Sequence, residues 1–306
     1  MKLGFNIPHM GPAASAENIA AVAKKAEDLG YETVWVTERL LFPINPRTPY
    51  MVTPDGSLPD VYKIVLDPLA SLLWVAANTS RIRLGTSVID SPYYNPVMLA
   101  RQLTTIDVLS GGRLTLGMGL GWSEDEYEAS GAPMTQKGKR ADEFIQVLKA
   151  IWTTDPAEFS GEFYKLAKSI IQPKPAQKPH PPIFLAAYSP GAMKRVATHA
   201  NGWLPAGVPV EGMKQMWEGI RGMAQQAGRN PDELEIIVRA NVVVTDSPGG
   251  DDRFIFMGSE DQIKSDIAAC RDFGVREVHF DVSFEAAAGS VDGFLQRLEQ
   301  LKELAG

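Results

Sequence analysis

The chain has one cysteine, Cys270, and only 4 histidines among its 306 residues. A single cysteine excludes an intrachain disulfide and any zinc site built from several cysteines. Cys270 lies in a helical stretch, which favours a small packing residue over a reactive nucleophile. No pair of histidines has metal-ligand spacing, and no elbow motif marks a serine nucleophile. The side chains alone therefore offer no obvious metal, redox or nucleophilic machinery.

Long hydrophobic runs and an excess of positive charge are also missing. No apolar run approaches the roughly 20 residues of a membrane span, and the stretch MKLGFNIPHMG is too polar for a secretory signal. The formal net charge of -7 argues against a general nucleic-acid binder but leaves room for a small anionic ligand. We expect a cytoplasmic protein, as monomer or homodimer, that acts on a small-molecule substrate without a nucleic-acid or membrane partner.

Short apolar strands alternate with helices along the whole chain. The first strand, KLGFNI, precedes a helix that ends at Gly30, and the alternation continues to a last helix over 291–304. Continuous apolar strands between amphipathic helices indicate a parallel sheet covered by helices. Eight such strands predict an α/β fold of the (β/α)₈ TIM barrel type, as one domain over 1–306. A doubly wound sheet is the alternative, but the first strand ends in NIPHM, which cannot cradle a phosphate.

Two inserts interrupt this alternation. Residues 42–66 follow the second strand and fall on the carboxyl-terminal face of a barrel, where long loops shape substrate pockets. A solvated excursion is the alternative, but Tyr50, Met51 and Tyr62 are apolar for such a loop. Residues 155–182, before the fifth strand, combine a predicted small hairpin with a proline-rich stretch.

The glycine-rich end of the fourth strand, GGRLTLGMGLGW, resembles a dinucleotide-binding loop only superficially. That motif is G-x-G-x-x-G at the first strand-helix turn, whereas here the third glycine, Gly121, comes one residue early and late in the chain. Three carboxylates at 124–126 follow, where a phosphate would have to bind. These glycines therefore require an explanation other than phosphate binding.

The ends of the predicted strands carry the candidate chemistry. Glu38 and Arg39 follow the second strand, and Trp122 follows the fourth. Glu38 with Glu124 is a possible carboxylate pair for glycoside hydrolysis. Acidic residues at strand ends are also common helix caps, so we favour a bound cofactor as the source of the chemistry.

An anion site is predicted after the fifth strand. The turn YSPG, residues 188–191, follows a strand that ends at Ala187 and leads directly into a helix. Backbone N–H groups, the hydroxyl of Ser189 and the positive end of the helix would suit a phosphate. Lys194 and Arg195 add positive charge nearby. An ordinary Ser-Pro-Gly helix start is the alternative.

The stretch TSRIRLGTSVIDSPYYNPVMLARQLTTIDVLSGGRLTLGMGLGW resembles the luciferase-like monooxygenase superfamily. The matching pattern is a strand ending G-T-x-V, then N-P, L-A, a helix ending L-S-x-G-R and a strand ending G-x-G-x-G. The likeness extends to YETVWVTERL, AAYSPGAMKRVATHANGW and MGSEDQIKSDIAACRDFGV. Within the superfamily, the PDG-containing insert and DPLASLLWVAANTSRIRLGT are most similar to the branch that uses the deazaflavin coenzyme F420.

The resemblance implies a cofactor ring across the carboxyl-terminal mouth of the barrel, beside Ser87 and Val88. It also implies a non-prolyl cis peptide bond between these two residues and a cofactor phosphate at Tyr188 and Ser189. The glycines Gly117, Gly119 and Gly121 are then a packing device that lets the end of the fourth strand pass close to the cofactor and its neighbours. The remaining cofactor-binding residues expected on this basis are Asn6, Asp90, Gly119, Gly121, Ala187 and Lys194.

The sequence departs from the sugar-phosphate dehydrogenases of this superfamily at the catalytic positions. Glu38, Arg39 and Trp122 stand where those enzymes carry an Asp-His pair and a Glu. The departure implies reduction of an apolar or conjugated substrate in place of sugar-phosphate oxidation. Arg39 would anchor a carbonyl oxygen or deliver a proton with Glu38 orienting it, or the pair would only bridge loops. Trp122, Tyr50 and Tyr62 would form a flat aromatic pocket.

The function predicted from the sequence is therefore that of an F420-dependent oxidoreductase transferring hydride between reduced cofactor and a small organic substrate. An FMN-dependent luciferase-like monooxygenase is the first alternative. A deazaflavin-binding protein without turnover is a second alternative, from another class.

Overall fold

The computed structural model describes residues 1–53 and 55–306 and contains a closed barrel of eight parallel strands. Each strand pairs with its neighbours in chain order, and the first strand pairs with the last, which closes the barrel. The predicted TIM barrel is confirmed. The barrel strands are β1 Lys2–Asn6, β2 Thr33–Val36, β3 Arg83–Thr86, β4 Leu114–Gly119, β5 Ile183–Leu185, β6 Gly202–Trp203, β7 Glu235–Asn241 and β8 Glu277–Asp281.

The α-helices cover the outside of the barrel, and their starts follow from the sequence. Ser15, Asp67 and Asn95 each accept a hydrogen bond from a backbone N–H of the helix that they precede, which satisfies donors of the first turn. The last helix ends within a residue of its predicted range. In the described part of the chain the helices are α1 Ala16–Asp28, α2 Pro68–Asn78, α3 Pro96–Leu109, α4 Glu124–Ser130, α5 Lys137–Thr153, α6 Pro190–His199, α7 Val210–Gln226, α8 Glu260–Phe273 and α9 Val291–Ala305.

The third strand is shorter than predicted. The sequence RIRLGTSVI was expected to form one strand, but β3 ends at Thr86, and the separate short strand Ile89–Asp90 pairs with the end of β4. The peptide bond between Ser87 and Val88 is cis, as predicted. Ser87 N still donates a hydrogen bond to Val36 O at 2.7 Å, and the chain leaves the β2 ladder after this bond.

The first insert folds back onto the carboxyl-terminal face. Met10, which follows β1, forms an antiparallel bridge with Val65. Leu58 and Tyr62 are buried, so the insert is not a solvated excursion. Met51, expected to be covered, is 94% exposed. The second insert contains the predicted hairpin, formed by Ala157–Ser160 and Lys165–Ser169.

The glycines of β4 are sites of close packing. A side chain at Gly117 would collide with the carbonyl oxygen of Thr86 on the neighbouring strand. A Cβ at Gly119 would lie 2.5 Å from Asp90 Oδ1 and 2.6 Å from Val88 Cγ2. Gly121 has a positive φ of 65°, which L side chains rarely adopt, and it lies against the Tyr93 hydroxyl. The glycines let the segment 87–93 pack against β4, as the packing interpretation predicted.

Two further expectations concern the core and the membrane. Cys270 is buried in α8, and burial raises the pKa of its thiol to about 12, which is the environment of a packing residue. Across the described residues, every helix is too short or too polar to cross a bilayer.

Candidate active site

The base of the barrel mouth is a stack of buried side chains. His279 of β8 stacks on Trp35 of β2 with ring centroids 4.5 Å apart. Its Nδ1 lies 3.1 Å from Asn6 Oδ1, and burial holds the pKa of His279 well below its ordinary value. Asn6, predicted to bind cofactor, has no exposed surface, and its amide also reaches Thr37 Oγ1 at 3.4 Å. It supports His279 from below the mouth and is not accessible to a ligand.

Ser87 and Val88 form the top layer above this stack. Val88 packs against interior side chains of the barrel that include Trp35 and Phe184, and it remains partly exposed. Its outer side therefore faces the mouth. Ser87 is buried, and its Oγ has no hydrogen-bond partner among the described residues.

Arg239 is the functional candidate that sequence reasoning missed. From β7 its Nη1 donates to Ser87 O at 2.8 Å, and its Nη2 donates to Asp281 Oδ2 at 2.5 Å. Its Nε donates to Asn241 Oδ1 at 3.0 Å. A charged residue inside the apolar run LEIIVRANVVV was the available signal, because a buried charge needs partners.

Glu38 and Asp90 form a carboxyl pair beside the mouth. Asp90 N donates to Glu38 Oε2 at 2.6 Å, and the Tyr94 hydroxyl donates to the other oxygen of Glu38. Burial and, next, the nearby Asp90 raise the pKa of Glu38 to about 8. Burial raises the pKa of Asp90 to about 6, although Gly121 N donates to Asp90 Oδ1 at 2.8 Å. Glu38 is therefore mostly protonated at neutral pH and Asp90 mostly ionised.

Arg39 does not pair with Glu38, which corrects the prediction that Glu38 orients it. The Arg39 guanidinium binds both carboxylate oxygens of Glu126 on α4, with Nε 2.7 Å from Oε1. The side chain of Arg39 is 5% exposed and that of Glu126 is 1% exposed. Helix α4 was not predicted, so the sequence offered no fixed position for this partner. The pair bridges the segments after β2 and β4.

Trp122, Tyr50 and Tyr62, predicted to form a flat aromatic pocket, lie together with their rings tilted or edge-on, so they form a packed aromatic cluster. Trp122 lies 5.5 Å from Tyr50, and Tyr50 lies 6.0 Å from Tyr62, between ring centroids. Arg39 stacks over Trp122 and Tyr62, and Phe284, which follows β8, packs edge-on against Tyr62. The first insert thus supplies two rings of the cluster, Tyr50 and Tyr62.

The predicted anion site is the start of α6. Ser189 is the N-cap of this helix and accepts a hydrogen bond from Ala192 N at 3.4 Å, so its hydroxyl already serves the helix. Tyr188, Ser189 and Gly191 are exposed, as is Lys194 one turn further on. Ala187 is buried, and its carbonyl accepts a hydrogen bond from Trp203 Nε1.

Arg195 does not belong to the anion site. Its Nε donates to Asp142 Oδ1 at 2.6 Å and its Nη2 donates to Gly138 O at 2.6 Å. Its side chain is 8% exposed, so the guanidinium joins α6 to α5. Of the two adjacent basic residues Lys194 and Arg195, only Lys194 presents exposed positive charge at the start of α6.

A cavity of about 520 Å³ adjoins the aromatic cluster at Tyr50. The first insert was expected to shape a substrate pocket, but the contribution of the segment after β8 was not predicted. The first insert and the segment 283–289 form its walls. Within the described residues, no group of three His, Cys, Asp or Glu side chains is placed to hold a metal ion.

Polar side chains and an open cavity thus converge at the carboxyl ends of the barrel strands, which is where barrel enzymes carry their active sites. The model of the luciferase-like monooxygenase family matches residues 1–250. The chain belongs to this family, and the resemblance read from the sequence is confirmed.

Curated relatives of this chain differ in cofactor. An uncharacterised protein of Mycobacterium tuberculosis is 37% identical over 206 residues, which cover 65% of this chain and 73% of that protein. The FMNH2-dependent dimethylsulfone monooxygenase of Pseudomonas putida is 33% identical over 174 residues, covering 56% and 47%. The F420-dependent glucose-6-phosphate dehydrogenase of Kineococcus radiotolerans is 32% identical over 203 residues, covering 64% and 55%. The family therefore supports an enzyme with a flavin or deazaflavin cofactor.

Solved structures share the fold over nearly the whole chain. Monooxygenase RslO1 from Streptomyces bottropensis has a TM-score of 0.80 at 23% identity, covering 99% of this chain and 98% of that one. The coenzyme F420-dependent tetrahydromethanopterin reductase from Methanopyrus kandleri has a TM-score of 0.73 at 18% identity, covering 95% and 97%. At these identities the likeness establishes the barrel and its connections.

Proposed function

We propose that this chain is an F420-dependent oxidoreductase that transfers hydride to a small, neutral, apolar or conjugated acceptor. The segment 87–90 supports this proposal. The side chain of Val88 is apolar and partly exposed. The backbone N–H of Asp90 donates a hydrogen bond to the carboxyl group of Glu38. The segment would thus provide an apolar contact for a ring at Val88 (the platform, Ser87 and Val88) and would hold the Glu38 carboxyl for the acceptor two residues further on, at Asp90 N.

The residues of the mouth fit a flat ring. Val88 offers an apolar contact surface, and Arg239 fixes the carbonyl of Ser87, so the platform is held from the opposite side of the barrel. The buried Ser87 Oγ without a partner among the described residues is a polar group that a ring substituent could satisfy after a small side-chain rotation.

The start of α6 fits a phosphate on the same cofactor. None of the described residues of its first turn is acidic. Gly191 has no atom within 4 Å of where a Cβ would lie, so there is open space at this position. Backbone N–H groups at a helix start favour an anion, and Lys194 adds a cation. This fit is common to F420 and FMN, because both carry a phosphate.

The chain's own residues support reduction of an acceptor. When bound, the reduced deazaflavin supplies a hydride. Glu38 holds a proton at neutral pH and can donate it to the acceptor, and Asp90 sustains this state by its nearby negative charge. Arg39, braced by Glu126, fixes Trp122 by stacking and is not available to anchor a carbonyl oxygen.

An FMN-dependent monooxygenase is the second candidate, favoured by the relative from Pseudomonas putida. Anaerobic turnover separates the two. The purified protein is mixed with reduced F420 and an enone or nitroarene, and cofactor oxidation is followed by absorbance. Acceptor-dependent oxidation without oxygen supports the proposal. Oxidation of reduced FMN that requires both acceptor and oxygen contradicts the proposal. If the protein turns over with neither F420 nor FMN, that absence of activity favours the non-catalytic binding protein.

A further inference from the structure

The cavity of about 520 Å³ has two walls with different origins. Tyr50, Val52 and Val61 of the first insert form one wall, and Phe284, Ala286 and Ala288, after β8, are among the residues of the other. Its volume falls within the range of about 300–1,000 Å³ that is typical of small-molecule pockets. Most of the lining residues are apolar.

The charges of this cavity disfavour an anion. Among the described residues that line it none is Lys, Arg or His, whereas Asp60 and Glu285 are acidic. Glu285 is 9% exposed and is held by Arg297 Nε at 2.6 Å and by Val244 N at 2.5 Å, so it needs no cationic ligand. A carboxylate or phosphate inside would be desolvated without a cationic partner.

The cavity is linked to the platform of the mouth through Arg239. Asn241 lines the cavity and accepts a hydrogen bond from Arg239 Nε, and the same guanidinium donates to Ser87 O. The amide nitrogen of Asn241 makes no hydrogen bond within the described residues, so it can donate to a ligand oxygen. Tyr50 also belongs both to the cavity and to the aromatic cluster around Trp122.

We propose that this cavity is the acceptor site and that it selects neutral aromatic or conjugated carbonyl or nitro compounds over their anionic analogues. The acceptor oxygen binds at Asn241, which Arg239 links to Ser87 of the platform, and the apolar body lies between Tyr50 and Phe284. This inference rests on the proposed function, because it assigns a place and a charge class to the acceptor of that reaction.

The test compares two probes with one skeleton, methyl 4-nitrobenzoate and 4-nitrobenzoate, by isothermal titration calorimetry. Ala286→Arg places a cation at the exposed rim of the cavity, and Ala167→Arg places one on the exposed hairpin as a matched control. We expect the wild type and Ala167→Arg to bind the ester at least about tenfold more tightly than the acid, and Ala286→Arg to lose that preference. Equal affinity for both probes, no detectable binding of the ester, or the same preference in both variants overturns the proposal.

A second variant tests the location independently of charge. Gly289 lines the cavity, and an added Cβ would meet no atom within 4 Å, so Gly289→Trp fills the space without a clash at its base. We expect loss of ester binding there and retention in Gly222→Trp, where an added Cβ on α7 also meets no atom. Unchanged ester binding in Gly289→Trp contradicts the proposal. These titrations need no hydride transfer, and a fluorescence titration of F420 on the same samples reports on the proposed function separately.

Discussion

Arg239 Nη1 lies 2.8 Å from the carbonyl oxygen of Ser87, which joins the end of β7 to the segment that follows β3. The same guanidinium pairs with Asp281, whose side chain is fully buried. One arginine thus ties together three strand ends, the platform beside Val88 and, through Asn241, the cavity.

Replacing Arg239 by leucine should destabilise the protein strongly. It leaves the carboxylate of Asp281 buried without its cation, and breaking a buried pair in this way costs about 3–5 kcal/mol. Chemical denaturation measures the free energy of unfolding. Arg221→Leu is the control, because the Arg221–Asp232 pair is exposed and worth at most about 1 kcal/mol. Equal losses in the two variants would show that the Arg239 contacts carry no special weight.

Glu38→Gln should lower kcat for acceptor reduction by about 100-fold or more, since it removes the proposed proton donor. Burial raises the pKa of Glu38 to about 8, so wild-type kcat should also fall as the pH rises above that value. F420 affinity should not change. Glu124→Gln is the control, because Glu124 is exposed on α4 and also belongs to the alternative hydrolase pair. A kcat profile that is flat to high pH, with Glu38→Gln fully active, would remove Glu38 from the mechanism.

Glu277 should make stability depend on pH. It is buried under the mouth, where Trp35 Nε1 donates to it at 2.8 Å, and burial raises its pKa to about 7. The folded chain therefore binds this proton more tightly than the unfolded chain. The stabilisation is complete below the unfolded pKa and is lost as the pH rises through about 7, a change of about 3 kcal/mol. Between about pH 4 and about pH 8, which lie on either side of this titration, the free energy of unfolding should fall less for Glu277→Gln than for the wild type. Parallel curves for the two proteins would contradict this assignment.

Ser189→Glu should weaken F420 binding by about 100-fold or more, because a carboxylate at the start of α6 occupies the anion site and repels the phosphate. Fluorescence titration measures the affinity, and thermal unfolding checks that the fold survives. Ser160→Glu, on the exposed hairpin, carries the same charge change elsewhere. An unchanged affinity in Ser189→Glu would show that the phosphate lies at another place.

Local patterns were sufficient to predict the barrel and most helices. Capping residues such as Asp67 before α2 mark where helices begin. The regular alternation of apolar strands with helices is compatible with only a few folds. The cis peptide bond between Ser87 and Val88 was predicted only through the family resemblance. The break in the third strand was not predicted, because the residues around it have the pattern of one continuous strand.

Contacts between distant segments could not be predicted in the same way. Arg39 precedes Glu126 by 87 residues, and α4, which carries this partner, is too short for a clear periodic signal. Arg195 looked available beside Lys194, but the side of the helix that faces Asp142 depends on the packing of α5 against α6. The cavity depends on how the first insert folds back, which its composition does not determine.

A side-by-side equilibrium titration of the purified protein with F420 and with FMN tests the proposed cofactor most directly. The two cofactors differ in absorbance and fluorescence, so each can be followed without the other. We predict tighter binding of F420, with an affinity that weakens as salt screens the exposed charges at distances of about 10 Å at 0.1 M. Tighter binding of FMN would contradict this prediction.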